Sequence, residues 1–293
     1  MPCANLSVLM LGPGTSITHA AISTLADTGC FVMWVGEQGV RFYAQGLGDT
    51  RHAKWLGIQA ALVSNPTTRL GVVQKMYALR FAEPIDPSWT IAQLRGREGA
   101  RVKHRYSEIA QKFGLTWTGR NYNRADWDQA DPFNKALSVA NTCLYGLAHC
   151  AIVSLGLSPG LGFIHTGNQR SFVYDLADLY KLDLTVPMAF HIVTLGVVEI
   201  ERRTRIACRS LFHATHLLAL LVEDLKFLLD SQMTQAPPDR INLPIQDLFE
   251  NWRANQLEKL AQAQTPTESP AMPTFSPIAS PPDFCFDNRR KDG

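Results

Sequence analysis

The sequence predicts a mainly α fold. A small N-terminal β-rich domain precedes a large all-α domain and a flexible Pro-rich tail. Three observations carry this. Residues 6–10, 31–35 and 40–46 are short apolar runs bounded by Gly and Pro turns, as strands are. From Lys54 to about residue 232, apolar residues recur at helical spacing with no parallel-strand alternation. After Ala236-Pro237-Pro238 the composition shifts to Pro, Thr and Ser. The expected division is 1–50, 51–235 and 236–293.

In chain order, LSVLM (6–10) reads as a strand and GPGT (12–15) as a turn. Thr15 or Ser16 is placed to cap a helix running to about Asp27. FVMWV (31–35) is a second strand with Trp34 in the core, GEQG a hairpin-type turn and VRFYAQG a third strand. Residues 54–82 and 89–113 are helical, interrupted by Pro84 and Pro87, with residues 88–90 opening the second helix. Further helical patterns cover 132–156, 187–194 and 197–232. Residues 241–252 read as an extended segment and a short helix, and 264–282 as extended or disordered chain. The last residues, DFCFDNRRKDG, set two phenylalanines beside three basic residues, a pattern suited to docking on a partner.

Bulk properties narrow the function. With 293 residues, 46% hydrophobic content and net charge +2, the chain is an ordinary globular protein and not a wholesale polyanion binder. Six scattered cysteines without a CxxC pair argue against zinc and a disulfide framework and fit a reducing cytoplasm. No secretory pattern opens the chain, and apolar stretches such as 188–200 are too short to span a bilayer.

The stretch GFIHTGNQRSFVYDLADLYK (162–181) is the densest in chemistry. Asp175 and Asp178 are three apart on a helical pattern and share a face. The turn at Thr166-Gly167-Asn168 lets His165 double back toward them. Histidine with carboxylates suits a divalent metal; a core histidine and a solvated face is the plainer alternative. Glu98, in a helix crowded with positive charge, is either a further ligand or a salt-bridge partner. Arg95, Arg101 and Arg105 share one helix side, and Arg202, Arg205 and Arg209 form another stripe. Cations beside a metal suit a polyphosphate substrate, nucleic acid above all, although each stripe alone fits a solvated face. Tyr122, in a loop, is placed to stack on a base, whereas Tyr145 lies in a helix where rings are commonly core.

Five motifs in register carry a family resemblance. They are LGPGTSITHAA (11–21), WVGEQGVRFYAQG (34–46), QLRGREGARV (93–102), GLTWTGRNY (114–122) and GFIHTGNQRSFVYDLAD (162–178). From about Pro2 to Leu229 the chain resembles the CRISPR-associated integrase, the first of the core Cas proteins, in its type I-E-like form. The resemblance implies a β-domain followed by an α-helical catalytic domain, a homodimer, and assembly with the second Cas adaptation protein. It implies a metal-dependent endonuclease and integrase, in which 3′-hydroxyls of a captured prespacer duplex attack phosphodiesters of the CRISPR repeat by transesterification. The cofactor implied is Mg²⁺ or Mn²⁺, with imidazole favouring Mn²⁺. By motif, Glu98, His165 and Asp178 match the metal ligands and Asp175 an adjacent acidic residue needed for activity. Arg41, Arg95, Arg120, Lys181, Arg202 and Arg205 match positions near DNA phosphates, and Tyr122 and Tyr145 rings near the splayed strand end. Ser16 stands where relatives have arginine, Asn168 where they have lysine, and the family's first strands precede this sequence. These departures leave a second reading, a catalytically weak or inactive DNA-binding scaffold of the same complex. A helical enzyme binding a small diphosphate through Asp175 and Asp178 is a third, for which the basic stripes are too many.

Overall fold

The computed structural model describes residues 6, 8–46, 53–81, 84–117, 119, 131–230 and 245–264. Strand β1 (Val8–Leu11) runs parallel to β2 (Phe31–Val35), which pairs antiparallel with β3 (Phe42–Gly46) in the order β1-β2-β3. Helix α1 (His19–Asp27) connects the first two strands. Its N-cap is Thr18, whose Oγ1 accepts from Ala21 N at 3.2 Å, and not Thr15 or Ser16 as expected. The apolar side chain of Ile17 packs into the small core under the sheet, so the cap falls one residue after it, at Thr18.

Strand alternation assigns the two faces of β2. Phe31, Met33 and Val35 pack on Cys150 and Val153 of helix α5 (Pro132–Ser154), while Val32 and Trp34 face Leu11 and Leu25. Residues 1–254 therefore pack as one unit, and the head expected as a separate domain is joined to the body through α5. The second unit is residues 255–293, of which 255–264 are described.

The helical body begins with α2 (Lys54–Ser64) and α3 (Pro66–Ala78), where a single helix over 54–82 was expected. Pro66 excludes helical backbone at Asn65, which sits extended at φ −102°, ψ 123° and caps α3 through Oδ1 to Thr67 N at 2.8 Å. Helix α4 (Ile91–Lys112) opens with a capping box of Thr90 and Gln93. Helix α5 starts on the Asp131 cap and Pro132 and is buried on most sides. It is long and apolar enough to cross a membrane by length and composition, but 78% of that stretch is buried inside the protein, as befits a core helix.

A short helix α6 (Ser171–Ala177), a π-helical turn (Lys181–Thr185) and α7 (Val186–Thr194) follow. The helical run expected over 197–232 is two helices, α8 (Ile200–Ala214) and α9 (Leu217–Leu229), bent by 64°. His216, at φ 49°, makes the break. Helix α10 (Ile245–Gln264) is longer than the short helix expected there. Its Phe249 and Trp252 join the main core, and Trp252 Nε1 donates to Ser210 Oγ at 3.0 Å. Residues 265–293, expected to be extended and to dock a partner, lie outside the described residues.

Candidate active site

The loop before α6 is pinned from three helices. Gln59 holds Ser158 and Leu161, Arg69 Nε donates to Phe163 O at 2.7 Å, and Arg95 Nη2 donates to Ile164 O at 2.6 Å. Gly162 is the closest point of the turn: a Cβ there would stand 2.3 Å from His165 O. The loop delivers three backbone N–H groups to one carboxylate. Asp175, fully buried, accepts from Phe163 N at 2.6 Å, Ile164 N at 3.0 Å and His165 N at 2.9 Å. The fourth contact, at 2.7 Å, is His165 Nδ1. An acceptor so placed fixes the imidazole proton on Nδ1 and leaves Nε2 with its lone pair.

Asp178 points elsewhere. Helix α6 ends at Ala177, and Asp178 is its C-cap. It lines a pocket of about 360 Å³ with Glu98 of α4 and His165, whereas Asp175 does not. The expected shared face of Asp175 and Asp178 is thus divided: one carboxylate orients the imidazole and the other faces the pocket. The side chains of Tyr77, Arg80 and Arg95 complete the wall.

Both pocket carboxylates are engaged by cations. Arg101 grips Glu98 through Nε at 2.8 Å and Nη2 at 3.2 Å, and Lys181 Nζ pairs with Asp178. Among the described residues no three His, Cys, Asp or Glu side chains stand close enough together to hold a metal ion as they are. The expected ligands therefore line one pocket without forming a closed coordination shell, and Glu98 and Asp178 are each paired with a cation instead. Burial pushes the Asp178 carboxyl up, but Lys181 and Arg80 outweigh it and hold the group below the ordinary carboxylate value. Burial likewise opposes the charge on Lys181, and Asp178 with Tyr145 more than offsets this, so its ammonium is held above the usual value. Two carboxylates and an imidazole nitrogen are a donor set that fits a divalent ion of the Mg²⁺ or Mn²⁺ kind.

A larger pocket of about 690 Å³ shares His165 and Lys181 with the first. Among the described residues no carboxylate lines it. Arg41, Tyr145 and Lys181, all expected near DNA, meet here, with Tyr174 edge-on to Tyr145 at 5.0 Å. Arg41 arrives because Gly146 of α5 lets the Arg41 backbone press close; a Cβ would stand 2.6 Å from Arg41 Cα. Asn168 and Arg170 line it too, with the Arg170 guanidinium 5.9 Å from the Tyr174 ring. His149 stacks on Phe42 with ring centres 3.9 Å apart, and burial, then Arg170, lowers its pKa to about 4.

Other expected residues fall differently. Arg95 lines the smaller pocket but spends its guanidinium on the loop. Arg105, grouped with it, pairs with Glu108 and Asp183. Arg202 and Arg205 line neither pocket and pair with Glu199 and Glu201. Ser16 is exposed and outside both pockets. Arg120 and Tyr122 lie outside the described residues. Arg80 and Arg170 were not anticipated. Arg80 lies in the stretch RLGVVQKMYALRF, which also carries Arg69 and Lys75, so no pattern singles it out; Arg170 follows Asn168 by two residues.

The class these features define is a mainly helical protein with a small α/β head and an acid–imidazole pocket that shares His165 and Lys181 with a cationic one. Residues 79–205 match the family model described as "CRISPR associated protein Cas1". The chain is 53% identical to a "CRISPR-associated endonuclease Cas1 2" of Thermus thermophilus, over 76% of this chain and 69% of that one. It is 42% identical to the "CRISPR-associated endonuclease Cas1" of Escherichia coli, over 82% and 79% respectively. Among solved structures, a TtCas1–DNA complex superposes with TM-score 0.74 at 51% identity, covering 79% of this chain and 86% of that chain. The chain belongs to the Cas1 family.

Proposed function

We propose that this chain is a divalent-metal-dependent DNA endonuclease and integrase of CRISPR adaptation. The observation that carries the reading is that Glu98, His165 and Asp178, from separate segments, line one pocket beside a cationic one. Relatives named as endonucleases and a relative solved with DNA support it.

Glu98, His165 Nε2 and Asp178 are the donors that would hold Mg²⁺ or Mn²⁺. A bound ion supplies polarisation of the phosphodiester and charge stabilisation for the departing 3′-oxygen. Asp175 keeps His165 in the Nε2-acceptor tautomer. Arg101 and Lys181 hold the two carboxylates until they are needed and must release them to do so. Arg41, Arg170 and Lys181 receive the DNA backbone, and Tyr145 and Tyr174 offer rings to an unpaired base. In the reaction an incoming 3′-hydroxyl oxygen bonds to phosphorus and gives up its proton to solvent, the old P–O3′ bond breaks, and the departing 3′-oxygen takes a proton back from solvent. One phosphodiester replaces another, so no external energy source enters.

The substrate is a prespacer duplex with 3′ ends, the target is a CRISPR repeat, and the working form is a homodimer bound to the second Cas adaptation protein. The setting is a reducing cytoplasm, in keeping with four buried cysteine thiols among the described residues. Within the chain, 1–50, 51–235 and 236–293 serve as functional divisions.

The engaged state of Glu98 and Asp178 favours one competing reading, a scaffold that binds DNA without joining it. Incubating purified protein and its partner with a 3′-hydroxyl duplex, a repeat-bearing plasmid and Mn²⁺ separates the two. The integrase reading expects strand joining at repeat boundaries; a complex that binds the duplex and never joins it is the scaffold.

A further inference from the structure

We propose that Arg80 is a catalytic anion-binding residue, whose guanidinium receives a non-bridging oxygen of the phosphodiester reacting in the pocket. The inference rests on the nuclease and integrase reading above. Arg80 follows α3, and its side chain is only 3% exposed. A guanidinium carries five N–H donors, and burial makes each unbonded one costly.

Arg80 spends few of them. Nη1 lies 3.6 Å from Glu98 Oε1, an ion pair too long for a hydrogen bond. Nη2 reaches the Asp175 carbonyl only at 3.4 Å, and Nε has no partner. The Tyr77 ring, 5.0 Å from the guanidinium carbon, supports the charge but accepts no N–H in the guanidinium plane. Neighbouring arginines differ: Arg69, Arg95 and Arg101 each make a bond of 2.6 to 2.8 Å. Among the described residues only Arg80 and Arg253 keep a buried side-chain N–H without a partner, and Arg253 is outside this pocket.

Arg80 is not there to tether Glu98, which Arg101 already grips with two bonds. It is a pocket-wall cation, held by its burial, with donors in reserve. A phosphodiester oxygen is the acceptor that suits a planar fork of N–H groups. As the 3′-oxygen bonds to phosphorus and the old P–O3′ bond breaks, negative charge gathers on the non-bridging oxygens. A cation already in place stabilises that charge without reorganising, and Arg80 keeps its own proton throughout.

The test uses full-length R80Q and R80K in single-turnover joining with Mn²⁺, on DNA carrying each phosphorothioate isomer at the scissile position. R80Q is expected to join about 100- to 1000-fold more slowly, the range for losing one such donor. Its DNA affinity and Mn²⁺ titration, read by electron paramagnetic resonance, should stay within about twofold of wild type, and R80K should recover part of the rate. One isomer should slow the wild type, and that selectivity should vanish in R80Q. Wild-type rates in R80Q, unchanged isomer selectivity, or loss of Mn²⁺ binding in folded R80Q would each overturn the proposal. A readout independent of turnover is the ¹⁵N–¹H signal of Arg80 Nε, assigned by its absence in R80K. It should shift saturably on titrating a short single-stranded oligonucleotide with Mg²⁺. A shift in a protein that joins nothing retains Arg80 as an anion site and defeats the integrase reading; no shift defeats Arg80.

Discussion

His165 and Asp175 show how one carboxylate does two jobs. Asp175 gathers three backbone N–H groups and orients the imidazole. Removing it in D175A leaves buried donors without an acceptor, a loss on the order of 3 kcal/mol or more. Chemical denaturation should register that loss, and a D175A protein as stable as wild type would contradict the assignment. H165A and D178A should differ in kind, abolishing joining while leaving DNA capture nearly intact by gel shift. Buried histidines give a pH dependence. His149 and His191 are lowered from 6.5 to about 4, chiefly by burial, with Arg170 near the first and Arg253 and Arg203 near the second. Between those values the unfolded chain binds the protons and the folded one does not. Their contribution to stability is complete above 6.5 and shrinks as pH falls toward 4. Urea midpoints measured across that window should fall on acidification, less steeply in H191F. At this scale Glu98, His165 and Asp178, which line one pocket, were singled out through motif and resemblance. Arg80 was not, because it lies far from Glu98 in sequence and only packing brings the two together.

Helices were legible where caps and prolines mark them. Thr90, Asp131 and Pro132 begin α4 and α5 close to where the pattern put them. The break at Asn65 was missed because apolar spacing continues across it, although Pro66 alone forbids a continuous helix. The bend at His216 carries no such signal, since left-handed backbone at a histidine is imposed by the packing around it. The sharpest element-scale contact is that of Val40 and Arg41, which lead into β3, against α5 at Gly146. G146V would drive a side chain into the Arg41 backbone, costing about 1–3 kcal/mol and moving Arg41 off the large pocket. Thermal melting and DNA affinity should fall together. A stable variant with wild-type affinity would show that this contact does not position Arg41.

At the scale of the molecule, the mainly helical fold and its short N-terminal sheet were readable from periodicity and turn residues. The cationic surface was readable only in part. Stripes on α4 and α8 look alike in sequence, yet most of those guanidiniums are engaged by glutamates or backbone. The cationic pocket is assembled from β3, α5 and the loop before α6, which no linear pattern joins. Arg41 and Arg170 should govern the salt dependence of DNA binding. R41A and R170A are each expected to reduce the slope of log affinity against log salt by about 1, whereas R202A should change it less. Equal changes in all three would return the DNA to the α8 stripe.

The central claim is that Glu98, His165 and Asp178 share one divalent ion once Arg101 and Lys181 release the carboxylates. Anomalous scattering from crystals of the protein grown with Mn²⁺ and DNA tests it most directly. The account predicts a manganese peak within coordination distance of His165 Nε2 and of both carboxylates. Manganese bound elsewhere, with Glu98 still on Arg101 and Asp178 still on Lys181, would contradict it.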